Sequence, residues 1–221
     1  MQDLIVRLSH ALRAAALVAA MTLDRPGAGW ADPMPQVAGT IELRLRGVVV
    51  NPEVDSTISL IGGRAEASTS FIPEIDGTYF FTPNLAAELI AGVTQHDVKA
   101  RGTAIGDVSL GSVWLLPPTL TLQYHYRAMP TLDLYAGAGI NYTFFLGPSL
   151  PSGGPVTSIA YDNNIGGAIQ AGLDYAISDR WVLNLDVKQL LLNTTVHVNG
   201  AIKADVDLNP ALVGVGVGYR F

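Results

Sequence analysis

The stretch DVSLGSVWLLPPTLTLQYHY, residues 107–126, decides how the rest of the chain is read. Its even positions include Val108, Leu110, Trp114, Leu116, Leu120, Leu122, Tyr124 and Tyr126, apolar almost throughout. Its odd positions include Asp107, Ser109, Gly111, Thr119, Thr121, Gln123 and His125, with Val113 and Leu115 as apolar exceptions. Period-two alternation puts the two sets on opposite faces of an extended strand. The usual strand runs to about 5–6 residues, and this one is several times longer. A transmembrane β-strand needs roughly 9–11 tilted residues with aromatics at both interfaces. Here the tyrosines and Trp114 mark two such levels on the apolar face. Pro117 and Pro118 interrupt the strand just below Trp114. Proline gives a ladder no N–H and belongs at edges and bulges.

Outward from this stretch the alternation repeats. GTIELRLRGVVV (39–50) turns Ile41, Leu43, Leu45 and Val49 one way and Glu42, Arg44, Arg46 and Val48 the other. FIPEIDGTYFF (71–81) and LAAELIAGVTQH (85–96) flank the tight turn Thr82-Pro83-Asn84. LDLYAGAGINYTFF (132–145), IGGAIQAGLDYAI (165–177), WVLNLDVKQLLLNTTVHV (181–198) and a last segment ending at Phe221 complete the set. Residues 51–69, the stretch around 99–106 and residues 147–164 read as loops from their turn-forming composition. Short turns alternate with long loops, the arrangement in which turns face the periplasm and loops face outside. The predicted fold is an all-β, eight-stranded antiparallel transmembrane barrel with up-and-down order. Tyr79, Phe81, Tyr124, Tyr126, Tyr175, Trp181, Tyr219 and Phe221 form a lower aromatic girdle, and Trp114, Tyr142 and Phe144 an upper one. Two registers do not continue: Leu190 and Leu192, and then Val206 and Leu208, are apolar at even positions where the outward set is odd. Either a bulge near Gln189 and Pro210 shifts the register, or these residues face inward.

Composition agrees with a membrane solvent. Charged residues make up 14% of the 221, against about 25% in a soluble domain. No window holds the roughly 18 apolar residues a spanning helix requires. A net charge of -6 argues against nucleic acid as a partner, and with no cysteine the chain has no disulfide or thiolate chemistry. Residues 1–31 read as a cleaved signal peptide: Arg7 and Arg13 bracket a basic start, AAALVAAMTL (14–23) is the apolar core, and cleavage follows Ala31. The barrel domain is then 32–221, placed in the outer membrane of a Gram-negative bacterium among lipid and lipopolysaccharide.

Three segments carry a resemblance to a known family. LLPPTLTLQYHY (115–126), YAGAGINYTFF (135–145) and VGVGYRF (215–221) are similar to the outer membrane protein W family, small bacterial barrels associated with uptake of hydrophobic compounds. The resemblance implies that hydrophobic solutes are the cargo and that they leave sideways into the membrane. Tyr219 and Phe221 resemble the aromatic-terminated strand that barrel-assembly machinery recognises.

Inward positions divide by height. Glu42, Arg44, Asp76, Glu88, His125, Asp133, Asp174 and Arg220 make a charged floor low in the lumen. Charges in so narrow a space must pair, since an unpaired buried charge costs several kcal/mol; the expectation is a plug. Higher up, Val48, Ile72, Ile90, Val113, Leu115, Phe145, Leu190, Leu192 and Leu212 form an apolar lining. That lining is either packing or a well for an apolar ligand. Pro117 and Pro118 either open a lateral window or only kink the strand. No pattern calls for a cofactor, a metal or a catalytic set. Ser112 and His197 share a height without being fixed as a pair, and His96 and His125 are uncommitted. The function expected is passive uptake of small hydrophobic molecules. The alternative is a structural or surface-receptor barrel that works through its loops.

Overall fold

Alternation becomes a ring once every strand finds a partner on both sides. The computed structural model describes residues 36–58, 62–151, 156–200 and 202–221; the export signal expected over residues 1–31 lies outside them. The strands are β1 (Ile41–Asn51), β2 (Val54–Ile58), β3 (Arg64–Ala67), β4 (Ser70–Phe80), β5 (Leu85–Gly92), β6 (Thr94–Thr103) and β7 (Gly106–Leu116). They continue as β8 (Thr119–Met129), β9 (Leu132–Ser149), β10 (Ile159–Tyr161), β11 (Asn164–Ala176), β12 (Trp181–Val198), β13 (Ile202–Leu208) and β14 (Ala211–Arg220). Eight of them close on themselves in the order β1, β4, β5, β8, β9, β11, β12, β14, every pairing antiparallel. Closure leaves no edge in the hydrocarbon, where an unpaired backbone group has no water to turn to.

The exposed faces match lipid. Leu45, Ile75, Leu89, Leu122, Ile140, Ile169 and Val215 stand outward in the membrane zone. The girdles are ring contacts at the two ends: Trp181–Tyr219 at 5.0 Å and Tyr219–Phe221 at 4.8 Å below, Tyr142–Phe144 at 4.6 Å above.

Above the upper girdle the chain does not dissolve into loops as its composition suggests. β6 and β7 prolong β5 and β8 as a hairpin, joined by β3 and the upper part of β9. On the other side, β13, β2 and β10 pair with each other or with the upper part of β12. The loop assignments for 51–69, 99–106 and 147–164 are therefore corrected in part. The cause is a change of solvent. In β6, Val98 and Ala100 turn inward while Gln95, Asp97 and Lys99 face water; in β13, Ala204 and Val206 turn inward while Lys203, Asp205 and Asp207 face out. A strand in this zone reads polar-out, the inverse of the lipid zone.

The same inversion settles the two broken registers. β12 pairs with β14 from Trp181↔Tyr219 to Gln189↔Ala211, and with β13 from Leu192↔Leu208 to Val198↔Ile202. Both sets follow one unbroken alignment, so no bulge intervenes near Gln189 or Pro210. Leu190, Leu192 and Val206 are 3%, 4% and 5% exposed and face inward. A bulge does occur elsewhere, between β6 and β7 beside Gly111. That glycine has φ +88°, and a Cβ there would run into the Ser149 carbonyl, so only glycine fits.

Candidate functional site: a charged floor, two apolar chambers and an open seam

The floor is built on Arg44 and Arg46, successive inward residues of β1. Arg44 Nε meets Asp76 Oδ1 at 2.8 Å, and its terminal nitrogens lie 3.5 Å from Glu88 Oε1 and from Asp174 Oδ1. Arg46 meets Glu74 at 3.0 Å and both Asp76 and Glu88 at 2.7 Å. Glu88 also accepts from Gln123 at 2.7 Å and Gln170 at 2.6 Å. Lower down, Arg220 Nε meets Glu42 Oε2 at 2.7 Å, and His125 Nδ1 meets Asp133 Oδ2 at 2.7 Å. The expected floor residues thus all lie inside, and they join one network. Gln36, before β1, closes it from below: its amide donates to Asp133 at 2.6 Å and accepts from Arg127 at 3.0 Å. Nothing in the sequence singles Gln36 out.

Among the described residues, the buried lumen holds seven carboxylates (Glu42, Glu74, Asp76, Glu88, Asp133, Asp174, Asp186) and four Arg or Lys cations (Arg44, Arg46, Lys188, Arg220). His125, Asp133 and Asp174 bring ligand atoms within 4.8 Å of one another, close enough for a metal ion. Their partners point to an ion-pair network instead. The two nitrogens of His125 face Asp133 and Gln123 oxygens, and Asp174 accepts from Asn184 at 2.8 Å.

Above the floor lie two adjoining apolar chambers. The lower, of about 40 Å³, is lined by Ile72, Ile90, Leu115, Leu190, Leu192 and Leu212, together with Pro117, Thr119, His96 and Lys188. The upper, of about 110 Å³, lies between the hairpins of the extension and includes Val54, Ile58, Val113, Phe145, Tyr161, Val196 and Val206. His96, Leu115, Leu192 and Pro210 belong to both walls. Eight of the nine expected apolar residues line one or both chambers. Val48 is the exception: it packs into the cluster of Val50, Leu190 and Leu212. Ten residues of the upper lining, among them Val54, Ile58 and Tyr161, come from segments expected to be loop. Phe145 stacks on Tyr161 at 5.3 Å with planes 7° apart, and burial pushes the Tyr161 phenol up to about 12, so it stays neutral.

The prolines sit where the lower chamber meets the barrel wall. On the β9 side pairing also skips the prolines, from Thr119↔Asn141 to Leu116↔Phe144, but hydrogen bonds span the gap: Tyr142 N–H donates to Pro118 O at 3.1 Å, and Asn141 Nδ2 donates to Pro117 O at 3.1 Å and to Thr119 Oγ1 at 2.7 Å. On the β5 side the gap is wider. Ile90↔Thr119 is the last pair below and Thr94↔Leu115 the first above. Ala91, Gly92 and Val93 therefore face Leu116, Pro117 and Pro118 without strand pairing. Pro117 and Gly92 on opposite sides of this seam both line the lower chamber.

The histidines and Ser112 are now placed. His96 Nδ1 donates to Ser68 O at 2.6 Å and leaves Nε2 to accept from Thr94 Oγ1 at 3.1 Å. His197 meets Asp162 at 3.2 Å, whereas Ser112 Oγ accepts from Gln95 at 3.2 Å. Alternation also put Asn141 and Lys188 on the inward face without giving either a role: Asn141 clamps the prolines, and Lys188 follows Asp186 on the inner face of β12.

Comparison with known proteins agrees with this architecture. The model of the OmpW family matches residues 38–221. An uncharacterized outer-membrane protein of Sinorhizobium fredii, y4mB, is 42% identical over 185 residues, covering 81% of this chain and 79% of that one. Outer membrane protein W of Escherichia coli K12 is 31% identical, covering 83% of this chain and 89% of that protein. The crystal structure of the outer membrane protein OprG from Pseudomonas aeruginosa superposes with a TM-score of 0.78 at 27% identity, covering 86% of this chain and 99% of OprG.

Proposed function

The chain belongs to the OmpW family, and from that premise we propose that this outer-membrane barrel takes up small hydrophobic molecules passively, from the outer chamber to the seam and so into the membrane. The barrel sits in lipid and lipopolysaccharide. One observation carries the reading: the apolar chambers end below on a packed ionic floor, while their side wall lacks pairing for three residues on each strand beside Pro117. A solute that partitions into the lining gains roughly 25 cal/mol per Å² of apolar surface removed from water. Passage through the floor would require it to break buried charge pairs, whereas passage through the seam breaks no ladder bond. Export through residues 1–31 and recognition of Tyr219 and Phe221 by the assembly machinery belong to the same proposal.

Uptake into liposomes tests it. Vesicles holding the protein should accumulate an added alkane faster than empty vesicles. Equal rates would leave the barrel as a structural or receptor protein.

A further inference from the structure

One cation in the lumen lies in the field of the floor carboxylates Glu88 and Asp186 without hydrogen-bonding to either. Lys188 is 2% exposed, and its Nζ makes no hydrogen bond. Its one ion-pair contact is Asp186 Oδ1 at 3.5 Å, and Asp186 already accepts from the Tyr135 hydroxyl at 2.8 Å through its other oxygen. Gln170, its register partner across β11, donates to Glu88 and makes no bond to the ammonium. Lys188 lines the base of the lower chamber, just above the floor.

The other polar groups lining that chamber have partners. Glu74 holds Arg46, Thr94 holds His96, and Thr119 donates to Pro117 O at 3.0 Å. A ligand descending from the apolar wall therefore meets one side-chain donor without a hydrogen bond, and it is charged. A buried ammonium without a hydrogen bond is costly, and a hydrogen bond to a charged group is among the stronger ones. The sign of the lumen then selects the head group. A carboxylate would enter a space that already holds more acids than bases, whereas a neutral oxygen adds no charge.

We propose that Lys188 is the head-group site of the well, and that the preferred ligand is an uncharged amphiphile: an alkyl chain along Leu190, Leu192 and Phe145 with a carbonyl or hydroxyl oxygen accepting from Lys188 Nζ. This rests on the uptake reading above and narrows its substrate class. It also gives the seam a role in selection, because Pro117 and Lys188 line the same chamber.

The test uses the full mature barrel in nanodiscs with three probes of matched chain length: decane, its methyl-ketone counterpart with an isotope-labelled carbonyl, and decanoate. The ketone should bind roughly tenfold more tightly than decane, with its carbonyl resonance displaced on binding. In Lys188→Met the displacement should vanish and the ketone should lose its advantage over decane. Equal binding of ketone and decane by the unaltered protein would overturn the proposal, and that comparison needs no variant to fold. A ketone preference that survives in Lys188→Met, or decanoate binding tighter than the ketone, would overturn it too. Failure of decane itself to bind would bring down the uptake reading as well, so the two can be told apart.

Discussion

At the scale of single residues the molecule depends on pairing charges that have no access to water. Glu88 is the clearest case, fully buried and in contact with Arg44, Arg46, Gln123 and Gln170. Removing one partner of such a group leaves the others uncompensated, at about 3–5 kcal/mol. Glu88→Ala should accordingly lose about that much in reversible urea unfolding from vesicles. Glu88→Gln should lose less, because its amide oxygen still accepts from one arginine. Equal, small losses in both would show that the floor is not one coupled network. The floor was legible in part. Alternation alone placed Glu42, Arg44 and Glu88 inward, because charge in a lipid-facing strand has nowhere else to go. Gln36 was not legible, since it precedes the first alternating residue and acts only through Asp133 and Arg127.

Among the elements, β7, β8 and the prolines between them organise the side wall. The double substitution Pro117→Thr with Pro118→Val restores two N–H donors and suits the polarity of each face. Each regained backbone bond contributes roughly 0.5–1.5 kcal/mol net. The variant should fold at least as stably as the parent, bind a hydrophobic solute as before, and transfer it into the bilayer more slowly. Unchanged transfer in a folded variant would reduce the prolines to a kink. Sequence alternation revealed β1, β4, β8, β9 and β11 because lipid on one side and a charged lumen on the other give each face a distinct chemistry. It failed for β2, β3, β10 and the upper part of β6, and it ran β13 into the last strand. There the outer face meets water, so an apolar-in, polar-out strand resembles an ordinary loop. The apparent slip in β12 and β13 had the same origin. Leu190, Leu192 and Val206 change face relative to the apolar set because the solvent changes, not the register.

As a whole molecule, the barrel is closed below and apolar above, with an unpaired stretch in the wall between β5 and β8. An open lumen would conduct ions; this one has Arg44, Arg46 and their carboxylates across it. In planar bilayers the purified protein should show no steady porin-like conductance, and a large stable current would refute the plug. The central claim is that the way out runs through the wall between β5 and β8. Val93 and Leu116 are the residues that face each other across the gap on the lipid side. Val93→Cys with Leu116→Cys in this cysteine-free chain would allow the seam to be locked and released in the same protein. The measurement is transfer of a hydrophobic fluorophore into the bilayer of proteoliposomes, before and after reduction of the bridge. The account predicts slow transfer with undiminished binding when the bridge is formed, and recovery on reduction. The same transfer rate in both states, with the bridge demonstrably formed, would contradict it.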